Sequence, residues 1–311
     1  MTGYCYRMLG SAFDAEDAVQ ETLTRAWRGH HRFEHRAALR TWLYRIAGNV
    51  CFDMLSAGRR RALPMDLSAL PGSTDTPIGD PLPEGTWILP APDGRVLPAG
   101  GDPGDVAVRR ETIRLAFVAA LQHLPPRQRA VLILRDVLAW RASEVAELLD
   151  TTVASVNSAL QRARATLAAT DTGDHPGPAP DGARRELLDR YVDAFERYDM
   201  ESLTALIHED ATQSMPPYAM WLRGRDEILR WWTGPGAACR GSRLVPTVAN
   251  GSPAFGQYRR AADGGHAPWS LQVLETSGGR VTGFTFFLDT AALFPLFGLP
   301  PRLDAESSAP G

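Results

Sequence analysis

The 311-residue chain is 44% hydrophobic and 22% charged with a formal net charge of −3, the composition of a soluble globular protein of two or three domains. No window approaches the roughly 18 consecutive apolar residues of a membrane helix, and no basic region followed by an apolar run opens it as a secretory signal would, so a cytoplasmic protein without a membrane partner is expected. Three scattered cysteines, Cys5, Cys51 and Cys239, form no CxxC or Cys/His cluster and read as reduced, buried thiols; no metal and no cofactor is expected.

The first 63 residues hold ten Arg against six acids, and helical patterning dominates them. Phe13-Asp14-Ala15-Glu16-Asp17 opens a helix with acids in its first turn, where they complement the dipole. Ala15, Ala18, Val19, Thr22, Leu23, Ala26 and Trp27 recur at the spacing of one apolar face. A second helix is expected from Leu39 to Leu55, with Leu39, Leu43, Ile46, Val50 and Met54 on one face; it ends at Gly58, before Arg59-Arg60-Arg61. Residues 64–108 invert the charge, one Arg against seven acids, and nine Pro and seven Gly fall between Pro64 and Gly104. That stretch reads as an extended acidic linker, poorly ordered unless a partner holds it.

Helix returns over about Val106 to Leu124, then Arg127 to Ala139, Ser143 to Leu149 and Val153 to Ala168. Residues 109–170 are again basic, nine Arg against five acids. Two basic modules joined by an acidic strap suggest a nucleic-acid binder with built-in screening; the plainer alternative is an acidic linker that is merely soluble. The short helix, tight turn and longer helix of Ser143 to Leu167 fit a helix-turn-helix, which lays its second helix in the major groove. Val153, Val156, Leu160, Ala163 and Leu167 are expected to be buried. Ser155, Asn157, Ser158, Gln161, Arg162 and Arg164 are left for DNA: Arg can bond guanine edges or phosphates, and Asn or Gln can pair with adenine. An αα-hairpin inside a bundle would show the same spacing.

A second linker, 171–185, precedes an amphipathic helix Glu186 to Tyr198 and a helical Met200 to Ile207. Strands are expected at Leu244–Ala249, Ala254–Tyr258, Trp269–Glu275 and Val281–Leu288, with a hairpin turn at Thr276–Arg280. Helices followed by an antiparallel sheet indicate an α+β domain.

Leu124-Pro125-Pro126-Arg127-Gln128-Arg129-Ala130-Val131-Leu132, Ser143–Leu149 and Ser155–Leu167 resemble region 4 of the extracytoplasmic-function (ECF) sigma factors of bacterial RNA polymerase. Asp14–Thr22 and Leu39–Asn49 resemble region 2 of the same family; relatives usually have most of another helix before Cys5, so either the start of the sequence is late or the first helix is shortened. Residues 186–300 resemble the SnoaL-like domains of the ketosteroid-isomerase superfamily, through Leu187–Phe195, Pro216-Pro217-Tyr218, Trp221–Gly224 and the late strands. Asn250–Tyr258 and Phe294–Pro300 are similar to a sigma-factor subgroup that carries this domain as a fused regulator.

The resemblance implies a multidomain fold of two all-α sigma domains, a region 2 bundle and a region 4 helix-turn-helix, plus an α+β SnoaL-like cone. The expected boundaries are region 2 at 1–63, linker 64–108, region 4 at 109–170, linker 171–185, cone 186–300 and tail 301–311. The implied partners are core RNA polymerase, through its β′ clamp and β subunit, and promoter DNA. Asp14, Asp17, Gln20, Glu21 and Thr24 would face the clamp. Arg40, Trp42, Tyr44, Arg45, Asn49, Arg59, Arg60 and Arg61 would capture and grip the −10 element, because opening needs unpaired bases held on aromatic and polar side chains and a strand backbone held by Arg. Core packing is the competing role for Trp42. Ser155, Asn157, Ser158, Gln161, Arg162 and Arg164 would read the −35 element. Cones of this type usually hold a pocket, lined here by Met215, Tyr218, Trp221, Trp231, Phe255 and Trp269, so a small ligand is left open. The rival reading is an isomerase- or cyclase-type enzyme tethered to a DNA-binding module, with His208, Asp210, His266 and Asp289 as candidate bases, but no base sits in a matched motif and the expected activity is not enzymatic.

Overall fold

The computed structural model describes residues 1–33, 38–58, 61–68, 70–75, 77–98, 100, 103–170 and 181–304. The chain divides into two compact units: residues 1–62 with 85–173, and residues 63–84 with 174–311.

The first unit is all helix. Its helices are α1 Thr2–Leu9, α2 Ala12–Gly29, α3 Leu39–Ala57, α4 Pro103–Glu111, α5 Leu115–Gln122, α6 Pro126–Leu132, α7 Ala142–Leu148 and α8 Val153–Thr170. Helix α1 packs inside this unit: Tyr4, Cys5, Tyr6, Arg7 and Met8 are all buried. Helix α2 is capped by Ser11, whose hydroxyl accepts from the Asp14 amide at 3.2 Å, one of the orphan donors of a helix start. The expected single helix before Leu124 is two, broken at Thr112-Ile113-Arg114, and the Arg127–Ala139 helix passes into a π-helical turn, Ile133–Val137.

Regions of the chain far apart in sequence share this unit through buried guanidinium groups. Arg7 donates to Gly3 O at 2.7 Å, Thr112 O at 2.9 Å and Thr112 Oγ1 at 2.7 Å, and burial lowers its pKa to about 10. Arg129, 3% exposed, reaches Met8 O, Gln122 Oε1, Gln122 O and Leu124 O. A planar fork with fixed donors suits such a ring of carbonyls. The expected linker is ordered here too. Trp87, Ile88 and Ala91 are buried; Ile88 N donates to Ala62 O at 3.1 Å and Leu89 N to Gly10 O at 2.9 Å, so Trp87 pairs with Ala62 in a short parallel bridge.

The second unit is α+β: α9 Asp181–Arg197, α10 Met200–Leu206, β1 Ile207–Ser214, β2 Trp221–Arg223, α11 Arg225–Thr233, β3 Arg243–Ala249, β4 Ser252–Arg260, β5 His266–Ser277, β6 Arg280–Phe287 and α12 Thr290–Leu296. The sheet runs β2-β1-β6-β5-β4-β3. It is mixed rather than antiparallel, because β1 lies parallel to β6. Two hairpins close through two-residue turns with both central residues at positive φ, Asn250-Gly251 and Gly278-Gly279, the geometry that matches strand twist. Tyr191, Phe195, Trp231, Trp232, Phe255 and Phe284 fill the space between helices and sheet. Helix α12 packs on β4 and β5: Tyr258 meets Phe294 edge-on at 5.1 Å. A Cβ on Gly256 would lie 2.9 Å from Leu299 Cδ1, which explains glycine in mid-strand.

Residues 63–84 belong to this second unit by their hydrogen bonds. Trp221 Nε1 donates to Ser68 O at 3.1 Å, Gly72 N to Trp221 O at 2.8 Å and Leu82 N to Pro217 O at 2.9 Å. Thr74 gives both its amide and its hydroxyl to Glu227 Oε1 on α11, the hydroxyl at 2.8 Å. Among the described residues no helix is long and apolar enough to cross a membrane.

Candidate polymerase and promoter interface

On α2, Asp17, Gln20 and Thr24 are exposed and Glu21 half-buried. Glu21 accepts from Arg25 Nε at 2.7 Å, and Arg25 also reaches Asp53 at 2.9 Å. Asp14 does not join that face as a free carboxylate. Its oxygen takes two bonds from Arg61, 3.0 Å from Nε and 2.7 Å from Nη2, while Arg61 Nη1 donates to Trp87 O at 2.6 Å. The two residues assigned to polymerase and to DNA therefore hold each other and the Trp87 segment. The helical face is also narrower than the spacing implied. Ala15, Ala18, Thr22 and Ala26 are buried, whereas Leu23 is 52% and Trp27 77% exposed. With Thr24, His30 and Trp42 they line an open cleft between α2 and α3, and Trp27 stacks on His30 at 5.4 Å. Two large apolar side chains left in water beside one cleft mark a binding surface. The sequence signal was present; the three-and-four pattern simply ran wider than the buried stripe.

On α3, Arg40, Arg45 and Asn49 are exposed, and Trp42 and Tyr44 are half-buried. Trp42 packs on Phe33 at 5.0 Å, so it has a packing role and an open edge together. Arg40, Tyr44 and Arg45 meet the helix-turn-helix. The Arg40 guanidinium lies 4.7 Å from the Trp140 ring centre, Tyr44 is 5.1 Å from the same ring, and Arg45 Nη2 donates to Glu147 O at 2.9 Å. Leu39, expected on the buried face, is 55% exposed. Arg59 and Arg60 lie outside the described residues.

Helices α7 and α8 form the helix-turn-helix, and Asp150 in the turn takes a positive φ of 49°, a conformation Asp tolerates better than most side chains. Thr152 caps α8, its hydroxyl accepting from Ser155 N at 3.1 Å. Val156, Leu160 and Ala163 are buried. Val153, expected with them, sits in the first turn and is 44% exposed. Ser155, Asn157, Ser158, Gln161, Arg162 and Arg164 all point outward. Arg164 is tied to Asp136 by bonds of 2.9 and 2.7 Å, leaving Arg162 as the α8 guanidinium without an ion pair among the described residues.

Comparisons with known proteins find three matches along the chain. Residues 1–61 match the model for Sigma-70 region 2, residues 114–167 that for Sigma-70, region 4, and residues 188–287 that for the SnoaL-like domain. The chain is 45% identical over 309 residues to the ECF RNA polymerase sigma factor SigG of Mycobacterium tuberculosis, covering 97% of this chain and 82% of that one. The chain belongs to the ECF RNA polymerase sigma factors. The ECF RNA polymerase sigma factor SigJ of the same organism is 32% identical over 239 residues, 74% of this chain and 67% of that one. The crystal structure of SigJ has the same fold, with a TM-score of 0.61 at 24% identity and 96% of each chain covered. As a sigma factor, this protein directs core RNA polymerase to promoter DNA and starts transcription there. The helical units expected from the sequence are those of the family, and the third domain is a SnoaL-like fold fused to them.

None of the candidate bases forms a catalytic set. Asp210 is exposed, and its amide donates to His208 Nδ1 at 3.1 Å. Asp289 caps α12 by accepting from Ala292 N, and His266 Nε2 pairs with Gly241 O at 3.1 Å. Of the residues expected around a pocket, Met215, Trp231 and Trp269 line the cavity of the cone and Tyr218, Trp221 and Phe255 do not.

Proposed function

We propose that this sigma factor meets the polymerase clamp through Asp17, Gln20, Glu21 and Thr24 with the apolar Leu23 and Trp27 beside them. Arg40, Trp42, Tyr44, Arg45 and Asn49, extended by Arg59 and Arg60, hold the −10 element. Ser155, Asn157, Ser158, Gln161, Arg162 and Arg164 read the −35 element. It does so in the cytoplasm, where core polymerase and DNA are. The free protein is a closed form. The −10 and −35 elements are about 85 Å apart along B-DNA at ~3.4 Å per base pair, whereas a globule of about 150 residues has a radius of gyration near 15 Å. Regions 2 and 4 must therefore part before both elements are held at once, and parting uncovers Arg40, Tyr44 and Arg45.

The cone acts as an intramolecular regulator through the strap 63–84. The observation that carries this is the grip of Glu227 and Trp221 on Thr74, Ser68 and Gly72, in a segment that both begins and ends on region 2. The test is run-off transcription with core polymerase and genomic DNA fragments, comparing the full-length chain with Glu227→Gln. Altered transcription at unchanged fold supports the reading; equal transcription and equal core affinity overturn the regulatory part. Absence of any affinity for core polymerase at moderate salt overturns the interface assignments.

A further inference from the structure

Two of the three cysteines meet inside the first unit. Cys5 lies on α1 and Cys51 toward the end of α3, both without exposed surface. Their side chains hydrogen-bond each other where the two helices pack together. Cys239 belongs to the other unit and meets Gln257 instead. A single buried thiol fills space as a small apolar group. Two in contact, from helices far apart in sequence, have a chemistry that alanine or serine lacks.

The pair is not symmetric. The hydrogen bond from Cys51 favours negative charge on the Cys5 sulfur and holds that thiol below its ordinary pKa, against the opposing effect of burial. The same bond, together with burial, pushes the Cys51 thiol well up. Cys5 therefore gives up its proton first, and the thiolate is the form that attacks an oxidant.

Tyr4 packs beside both thiols. Burial, and then the neighbouring Cys51 and Cys5 sulfurs, push its hydroxyl well up, so it stays protonated and able to donate. That hydroxyl is buried with no hydrogen-bond partner among the described residues. It lies over Gly48, one turn before Cys51, where a Cβ would stand 3.4 Å from it. Buried O–H groups are normally paired, and one left open in a core calls for a role. Beside two sulfurs, it is placed to serve an oxygen added to either.

We propose that Cys5 and Cys51 are an oxidation site, converted by hydrogen peroxide into a disulfide that ties α1 to α3. The Cys5 thiolate attacks one peroxide oxygen and the O–O bond breaks. This leaves a sulfenic acid on Cys5 and releases hydroxide, which takes up the proton Cys5 had lost. The Tyr4 hydroxyl donates to the new oxygen. The Cys51 sulfur then attacks the Cys5 sulfur: the S–S bond forms, the S–O bond breaks, and the departing oxygen carries the Cys51 proton away as water. Two thiols are oxidised by two electrons and one peroxide is reduced to two waters. Both sulfurs are covered in the folded protein, so the reaction passes through local opening of α1. Once formed, the bond holds α1 on α3 and suppresses that opening, which keeps region 2 assembled under oxidant. The site is independent of which side chains of α3 meet the −10 element.

The test uses the full-length Cys239→Ser protein, treated with hydrogen peroxide, alkylated and mapped by mass spectrometry. The chain should lose two hydrogens and yield a linked Cys5–Cys51 peptide, and dithiothreitol should restore both thiols. Amide exchange in α1 should slow at least about 10-fold in the linked protein, because the link removes the local opening. In Tyr4→Phe the link should form about 3- to 10-fold more slowly, the worth of one hydrogen bond. Oxygen added to Cys5 without a link, both thiols left free by peroxide, or unchanged exchange in the linked protein overturns the site. An unchanged rate in a folded Tyr4→Phe removes the tyrosine from it.

Discussion

Replacing Trp140 by Leu tests whether regions 2 and 4 hold each other closed in the free protein. Trp140 is 5% exposed and touches Arg40 and Tyr44 of region 2. Its indole N–H is buried without an acceptor among the described residues, so leucine orphans nothing and retains part of the apolar volume. What is lost is a cation–π contact of about 0.5–1 kcal/mol and an aromatic pair of about 0.5–1.5 kcal/mol. Together that is roughly 1–2.5 kcal/mol of closure, a shift of about 5- to 60-fold in the closed-to-open ratio at 1.4 kcal/mol per decade. Energy transfer between dyes on Ser56→Cys and Ala168→Cys reads the separation. Both positions are exposed, and Cys239→Ser removes the partly accessible native thiol. Transfer should fall in free Trp140→Leu, and in the wild-type protein when core polymerase is added. Unchanged transfer in a folded Trp140→Leu, or no response of the wild type to core polymerase, refutes the closed form.

Three further outcomes follow from individual contacts. The Glu227 carboxyl is held below the usual carboxylate range first by the Thr74 amide and then by the Thr74 hydroxyl, with Arg230 beside it. The docked strap therefore binds fewer protons than the released one, and docking is complete above the ordinary glutamate value of about 4.3 and weakens as pH falls through the depressed one. The protection factor of the Thr74 amide, its exchange rate corrected for the intrinsic pH dependence, should be high and level around neutral pH, fall below about pH 4.5, and lose that dependence in Glu227→Gln. Arg162→Ala should weaken −35 DNA binding evenly across sequences and lower the salt slope by about one if the contact is to phosphate, measured by fluorescence anisotropy; a loss confined to one base position would assign Arg162 to a guanine edge instead. Arg129→Met should cost about 3 kcal/mol in urea unfolding of the first unit, because the carbonyls of Met8, Gln122 and Leu124 lose a charged donor inside the core.

The elements with a repeating apolar pattern were legible from the chain alone: α2, α3, the helix-turn-helix and the four strands after Leu244. The exceptions share a cause. Strand β1, Ile-His-Glu-Asp-Ala-Thr-Gln-Ser, shows no alternation of apolar and polar residues, because its buried positions include Gln213 and Ser214; those polar groups face a cavity and a hydrogen-bond network rather than oil. Of the two strands that were missed, β1 and the three-residue β2, β1 is the one that makes the sheet mixed. Leu23 and Trp27 kept helical periodicity while facing water, since periodicity reports a helix face and not what covers it. Trp87-Ile88-Leu89 was hidden in a Pro/Gly-rich stretch whose composition argued for disorder, although one tryptophan and one isoleucine there are fully buried. Asp14 and Arg61 were assigned by charge, and only the fold places them within 3.0 Å of each other.

The Trp87 segment determines what the strap controls. Its pairing with Ala62 closes residues 63–84 into a loop whose two ends stay on region 2. With Val96 buried nearby, the tether free to let region 4 move away begins only at residue 97 and ends where α5 starts, at Leu115. At about 3.3 Å per residue, eighteen residues reach at most roughly 60 Å, less where α4 remains helical at about 1.5 Å per residue. That is short of the ~85 Å between promoter elements, so the dimensions of the two domains must supply the rest or the Trp87 bridge must open and release the loop into the tether. A cone that grips Thr74, Ser68 and Gly72 withholds that slack, and a cone that lets go supplies it. The regulation proposed for the third domain would then need no contact with DNA: it would follow from how much chain is free between two promoter-binding modules.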